Sequence, residues 1–207
     1  MRALLLAALV AVALPASARA QIEVTALGGF RFGGSVDTTV PGTAAATARY
    51  EVADAAAFGI HVGYAVGEGE IELSYARQNS KLQTSDLFAG VPVFDLALET
   101  WQIGGNVLFG EPDARLQPFV GLAAGLTRLL PGPSALSDET RFVGSCSGGA
   151  KLWLGRRIGL RFEARGLFTL LDSNSRTFCT NGFCTIFYGN SQVISQGEVR
   201  AGLILRF

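Results

Sequence analysis

The sequence predicts an all-β fold, an eight-stranded antiparallel up-and-down transmembrane β-barrel preceded by a cleaved signal peptide. Three observations carry this expectation. Beyond residue 20 the chain falls into eight runs in which apolar and polar residues alternate with period two, as strands with two chemically different faces do. The longest unbroken apolar or glycine stretch there, Phe119 to Leu126, is far below the ~18 residues of a membrane helix. The connections alternate between short and long, which matches tight turns at one rim of a barrel and longer polar loops at the other.

Composition narrows the function. Of 207 residues 26 are glycine and 49% are hydrophobic, while only 16% are charged against ~25% in ordinary soluble domains. A surface so short of charge points to lipid. Lys plus Arg (17) equals Asp plus Glu (17), so there is no basic excess to gather a phosphate backbone, and no nucleic-acid partner is expected. One His and three Cys do not build a His-rich or Cys-rich metal site, and neither a metal nor another cofactor is expected.

Residues 1–20 open with Met1-Arg2, continue through an apolar stretch from Ala3 to Leu14, and close with Pro15 and Ala18-Arg19-Ala20. That is the layout of a secretory signal peptide with cleavage before Gln21, and the apolar stretch is too short to span a bilayer. Residues 21–207 then form one barrel domain.

The eight runs follow in order. The first, 22–34, sets Phe30 and Phe32 on one face and Glu23, Gly29 and Arg31 on the other. In the second, 55–66, Phe58 to Val66 oppose Ala57, Gly59, His61 and Gly63. The third, 70–78, opposes Ile71, Leu73 and Tyr75 to Glu70, Glu72, Ser74 and Gln78. In the fourth, 96–109, the apolar face runs from Trp101 to Phe109, but Asp95 and Glu99 share its parity. Its outer end must therefore project beyond the lipid or contain a bulge. The fifth, 116–129, contributes Gly121, Ala123 and Gly125 to the small-residue face, and the sixth, 142–154, sets Ala150 to Leu154 against Gly149 and Lys151.

The seventh and eighth runs are the clearest. Over 158–170, Ile158, Leu160, Phe162, Ala164, Gly166, Phe168 and Leu170 face one way, and Arg161, Glu163 and Arg165 the other. Over 193–207, Val199, Ala201, Leu203, Leu205 and Phe207 oppose Glu198, Arg200 and Arg206. The charged face turns inward, because a charge against lipid costs roughly 2–4 kcal/mol at the bilayer midplane. Volume agrees, since eight strands enclose a lumen just wide enough for side chains and this face carries most of the glycine and alanine. Phe32, Tyr64, Tyr75, Phe109, Trp153 and Phe207, near strand ends, suit interfacial aromatic girdles.

The expected lumen holds five acids, Glu23, Glu70, Glu72, Glu163 and Glu198, and six bases, Arg31, Lys151, Arg161, Arg165, Arg200 and Arg206. Isolated ions in a narrow interior are costly, so opposite charges are expected to pair across the barrel and close it. His61, the only histidine, has no Ser two residues away, and pairing with Glu70 or Glu72 is favoured over catalysis. Cys179 and Cys184 flank Thr180-Asn181-Gly182-Phe183 in the longest outer loop; an oxidising compartment and the Asn-Gly turn predict a disulfide. Cys146 sits on the lipid-facing parity of the sixth run.

The carboxyl terminus, Val199-Arg200-Ala201-Gly202-Leu203-Ile204-Leu205-Arg206-Phe207, is an alternating strand that ends in Phe. With the signal segment and the eight runs, it resembles the small eight-stranded outer-membrane barrels of Gram-negative bacteria, the OmpA-barrel or OmpX-like group, over residues 21–207. Leu116 to Gly121 and Gly159 to Arg165 are also similar to strands of that group. The resemblance implies insertion in outer-membrane lipid and an assembly signal at Leu203, Leu205 and Phe207, read by the barrel-assembly machinery. It leaves function open, because such barrels include anchors, adhesins, small pores and lipid-modifying enzymes. The reading preferred is a monomeric, non-enzymatic envelope protein with a closed ionic lumen and long outer loops of undefined extracellular partner. A narrow porin-like pore for small or apolar solutes comes second, and a lipid A-modifying barrel enzyme third.

Overall fold

The computed structural model describes residues 22–39, 47–84, 91–111, 114–133, 136–171, 176–180, 183–187 and 192–207. The predicted signal segment, 1–20, lies outside the described residues. The strands in chain order are β1 (Ile22–Phe32), β2 (Ser35–Thr39), β3 (Thr47–Val52), β4 (Ala55–Val66), β5 (Gly69–Thr84) and β6 (Val91–Leu108). They continue with β7 (Leu116–Pro131), β8 (Glu139–Trp153), β9 (Ile158–Leu171), β10 (Arg176–Thr180), β11 (Phe183–Phe187) and β12 (Gln192–Arg206). Eight of them close an antiparallel ring in the order β1, β4, β5, β6, β7, β8, β9, β12 and back to β1. The closing seam runs from Glu23↔Arg206 to Phe32↔Gly197, so no open edge remains within the barrel wall.

These eight strands are the eight alternating runs, with shifts of up to three residues at most ends and two larger differences. β5 continues past residue 78 to Thr84 and β6 begins at Val91 rather than 96. The added pairs, from Asn79↔Ala97 to Thr84↔Val91, turn Lys81 and Asp95 outward and Leu82 and Leu96 inward, the reverse of the pattern lower in the wall. The ladder is regular from Lys81↔Asp95 to Tyr75↔Trp101 and shifts only beyond it, between Leu82 and Gln83, so no bulge within the run absorbs the outward parity of Asp95 and Glu99. Outside the ring, β2 pairs with β3, which joins the outer end of β5, and β10 pairs with β11. Both hairpins fall in segments expected to be loops.

The wall is two-faced. Leu122 is 72% exposed and Phe58 67%, while Lys151, Arg161 and Arg31, among the longest ionic side chains, are each 1% exposed. Closure explains the glycine excess. A methyl group on the inner face at Gly29, Gly104, Gly125, Gly149 or Gly202 would collide with a backbone carbonyl of the adjacent strand. At Gly28, Gly105 and Gly148, on the lipid face, it would make only ordinary contacts. The curvature of so small a barrel crowds its concave side, and glycine there is a steric requirement. Two tight turns use left-handed backbone at Gly67 (φ 59) and Gly110 (φ 98), which other residues adopt at a cost.

Candidate functional site

The lumen is organised in tiers along the barrel axis. At the turn-side end, Lys151 Nζ lies 2.5 Å from Glu23 Oε2 and 2.6 Å from Glu70 Oε2. Arg206 Nη2 approaches Glu23 Oε1 at 2.8 Å, and its guanidinium stacks 3.5 Å over the Trp153 ring. The indole of Trp153 donates to Gln117 Oε1 at 2.8 Å. Trp153 is thus buried and closes the lumen floor. The expectation that it joins the lipid-facing girdle is corrected here, because it shares the inward parity of Lys151 on β8.

The central tier holds the other seven ionic residues, together with His61. Arg161 donates from Nη1 to Glu72 Oε2 at 2.5 Å and from Nε to Glu163 Oε2 at 2.8 Å. Glu163 also accepts from Arg200 Nη2 at 2.7 Å and from Arg165 Nε at 3.3 Å. Arg31 Nη2 reaches Glu198 Oε1 at 3.5 Å, and Arg200 Nη1 stands 3.9 Å from Glu198 Oε2. His61 Nδ1 lies 2.7 Å from Glu72 Oε1, with His61 1% exposed. All eleven residues singled out as lumen ions therefore stand within ion-pair distance of a partner.

Polar groups that no charge count could find complete these tiers. Asn106 donates to Glu72 Oε2 at 3.2 Å and Glu70 Oε2 at 3.5 Å, tying the two tiers together. Gln102 Oε1 accepts from Arg165 Nη1 at 3.0 Å and Ser145 Oγ at 3.2 Å. Phe119 also points inward, 2% exposed, with Arg161 4.5 Å over its ring. Parity was the available signal, since Gln102 and Asn106 alternate with Trp101, Ile103 and Val107 on the lipid side.

Towards the outer mouth the lining changes. A hydroxyl belt includes Thr100 and Thr127, whose Oγ1 atoms lie 3.3 Å apart, and Ser80, which donates to the Ala53 carbonyl. Above it Val52, Leu82, Leu96, Leu98, Leu129, Leu171 and Ile194 pack together, each at most 4% exposed, with Tyr50, Phe94 and Leu136 against them. This apolar tier differs from the small and ionic filling that the sequence predicts for the inward face.

The outer wall carries the girdle. Phe32, Tyr64, Phe109 and Phe207 are 43–51% exposed, and Tyr75 packs on Trp101 with ring centroids 4.3 Å apart. Leu203 and Leu205 face outward as well. Cys146 is an exposed free thiol on the outer face. In the β10–β11 hairpin Cys179 stands opposite Cys184 in the register, while their side chains lie outside the described residues. No group of three or more His, Cys, Asp or Glu among the described residues could hold a metal ion.

Residues 4–207 match the family model described as "Outer membrane protein beta-barrel domain". The fold is similar to that of Neisserial surface protein A, with a TM-score of 0.59 at 14% identity, covering 90% of this chain and 97% of that one. Two weaker likenesses are to Ail, the attachment invasion locus protein of Yersinia pestis, and to the N-terminal β-barrel domain of Pseudomonas aeruginosa OprF. Ail has a TM-score of 0.45 at 12% identity, over 90% of this chain and 99% of that one. OprF has a TM-score of 0.43 at 12% identity, over 88% and 97%. No curated protein matches the chain.

Proposed function

The chain belongs to the outer membrane protein beta-barrel domain family, and from that premise we propose that it is a non-enzymatic integral protein of the outer membrane, with a closed lumen and outer loops that make its contacts. One observation carries the reading: the lumen is filled by two successive layers of unlike chemistry, ion pairs below and packed apolar side chains above. A conducting path would have to break both. A solvated ion crossing the Leu96–Leu98 level would also shed its water against apolar groups, which is how hydrophobic constrictions block conduction.

The non-enzymatic reading is supported by His61, which is buried against Glu72 beneath the apolar tier, out of reach of a substrate at either rim. In the same reading residues 1–20 direct export and are removed, and Leu203, Leu205 and Phe207 present the assembly signal to the barrel-assembly machinery. The barrel is a monomer in lipid, and Cys179 and Cys184 form a disulfide across β10–β11. Reconstitution in planar bilayers tests the closed lumen, with baseline current expected; sustained, reproducible channels would overturn it in favour of the narrow pore. Thiol labelling of unfolded protein before and after reduction tests the disulfide, with labelling expected at Cys146 alone before reduction.

A further inference from the structure

We propose that the central tier of the lumen binds one small monovalent anion of the halide type. The starting point is charge. The turn-side tier is balanced, with Lys151 and Arg206 against Glu23 and Glu70. The central tier is not, since Arg31, Arg161, Arg165 and Arg200 face only Glu72, Glu163 and Glu198. One positive charge is left over among side chains that are 1–7% exposed. An uncompensated ion in such a place is costly, and the apolar tier above cuts it off from the outer solvent.

Hydrogen-bonding capacity points the same way. Arg31 Nε, Arg161 Nη2, Arg200 Nε and Gln102 Nε2 are buried N–H groups with no partner among the described residues. They are neighbours: Arg161 and Arg200 share Glu163, Arg31 and Arg200 share Glu198, and Gln102 is held by Arg165, which also binds Glu163. Buried donors are almost always satisfied in folded proteins, by protein, water or an ion. Also unpartnered are Gln78 Oε1, beside the hydroxyl belt, and His61 Nε2, the acceptor nitrogen of a ring whose Nδ1 faces Glu72 Oε1 at 2.7 Å. A water would bring two further hydrogens to four donors and a single acceptor, His61 Nε2. A halide brings none, accepts from several donors at once and cancels the surplus charge, whereas a dianion would reverse the imbalance.

Crystals of the folded barrel soaked in sodium bromide test the site directly. One anomalous peak is expected among Arg161, Arg200 and Arg31; no peak, peaks on the surface only, or density that refines as water alone would overturn the proposal. In solution, the melting temperature of the detergent-solubilised barrel should be higher in sodium chloride or bromide than in sodium gluconate at equal ionic strength. Arg165→Gln removes the surplus charge and should abolish that difference, whereas Lys81→Gln on the outer wall should keep it. Equal melting in all three salts would overturn the site. Should Arg165→Gln fail to fold, the bromide map of the unaltered protein still gives the answer.

Discussion

The two ends of the lumen fill the same cylinder by opposite means. In the ionic tiers each side chain is fixed by a named partner: Glu163 alone receives three guanidiniums, from Arg161, Arg165 and Arg200. In the outer tier Val52, Leu82, Leu96, Leu98, Leu129, Leu171 and Ile194 have no partners in that sense, only neighbours. The difference teaches that one wall can be sealed by specificity at one level and by area at another. The two should fail differently, since removing one ion strands several others, whereas removing one leucine opens a hole of its own size.

The largest effect is expected at that ionic junction. Glu163→Ala leaves three buried guanidiniums short of an acceptor, and breaking a buried ionic cluster in this way costs about 3–5 kcal/mol or more. Guanidinium unfolding followed by tryptophan fluorescence should show the loss, with Glu163→Gln milder because an amide oxygen still accepts. Were Glu163→Gln as stable as the unaltered protein to within a few tenths of a kcal/mol, the ionic tier would be packing and not pairing.

Leu98→Ala tests the other seal. Leu98 is 3% exposed in the apolar tier, and truncating a buried leucine costs about 2–5 kcal/mol depending on how far the cavity collapses. No conductance should appear, because the ionic tiers remain beneath it. Steady current through Leu98→Ala alone would show that the apolar layer is the whole barrier.

A charge moved to the other side of the wall sharpens the contrast. Leu122 is 72% exposed near the middle of the lipid-facing run Leu116 to Leu126, and Leu122→Arg should destabilise by about 2–4 kcal/mol in bilayers. Arginine is abundant a few ångströms away inside, but there each one meets carboxylates. Refolding yield into lipid vesicles measures the penalty, and an unchanged yield would mean that this face does not touch acyl chains.

What was legible in the sequence follows from where the physics acts on both faces at once. Lipid outside and a crowded lumen inside impose period two, so the eight barrel strands and their parity could be read from runs such as Ile158 to Leu170. Above the lipid that constraint ends, and β2, β3, β10 and β11 left no pattern. The ionic residues were visible because charges are rare here. Their partners were not, since pairing depends on the stagger of the closed sheet: Lys151 meets Glu70 across the barrel from distant strands. The apolar tier was hidden because Leu96 and Leu98 are inward residues of ordinary type at positions expected to be polar, and Trp153 was misplaced by giving an aromatic near a strand end more weight than its parity.

The smallest expected effect lies at the outer margin of the wall, where ion pairs recur without burial. Arg77, Glu99 and Arg128 stand in register across β5, β6 and β7, and Arg77 Nη1 donates to Glu99 Oε1 at 2.9 Å, with Tyr75 Oη at 3.3 Å from the same oxygen. Arg77 is about half exposed, so water and salt already solvate what the carboxylate offers. A double-mutant cycle on Arg77→Ala and Glu99→Gln should return about 0.2–1 kcal/mol at low ionic strength and less in molar salt. The pair has the same chemistry as Arg200 with Glu163 and nearly the same distance, so a small coupling here beside a large loss at Glu163 would isolate burial as the variable. A coupling of several kcal/mol at the rim would instead place this row inside a low-dielectric region, and the lipid boundary would have to be drawn above it.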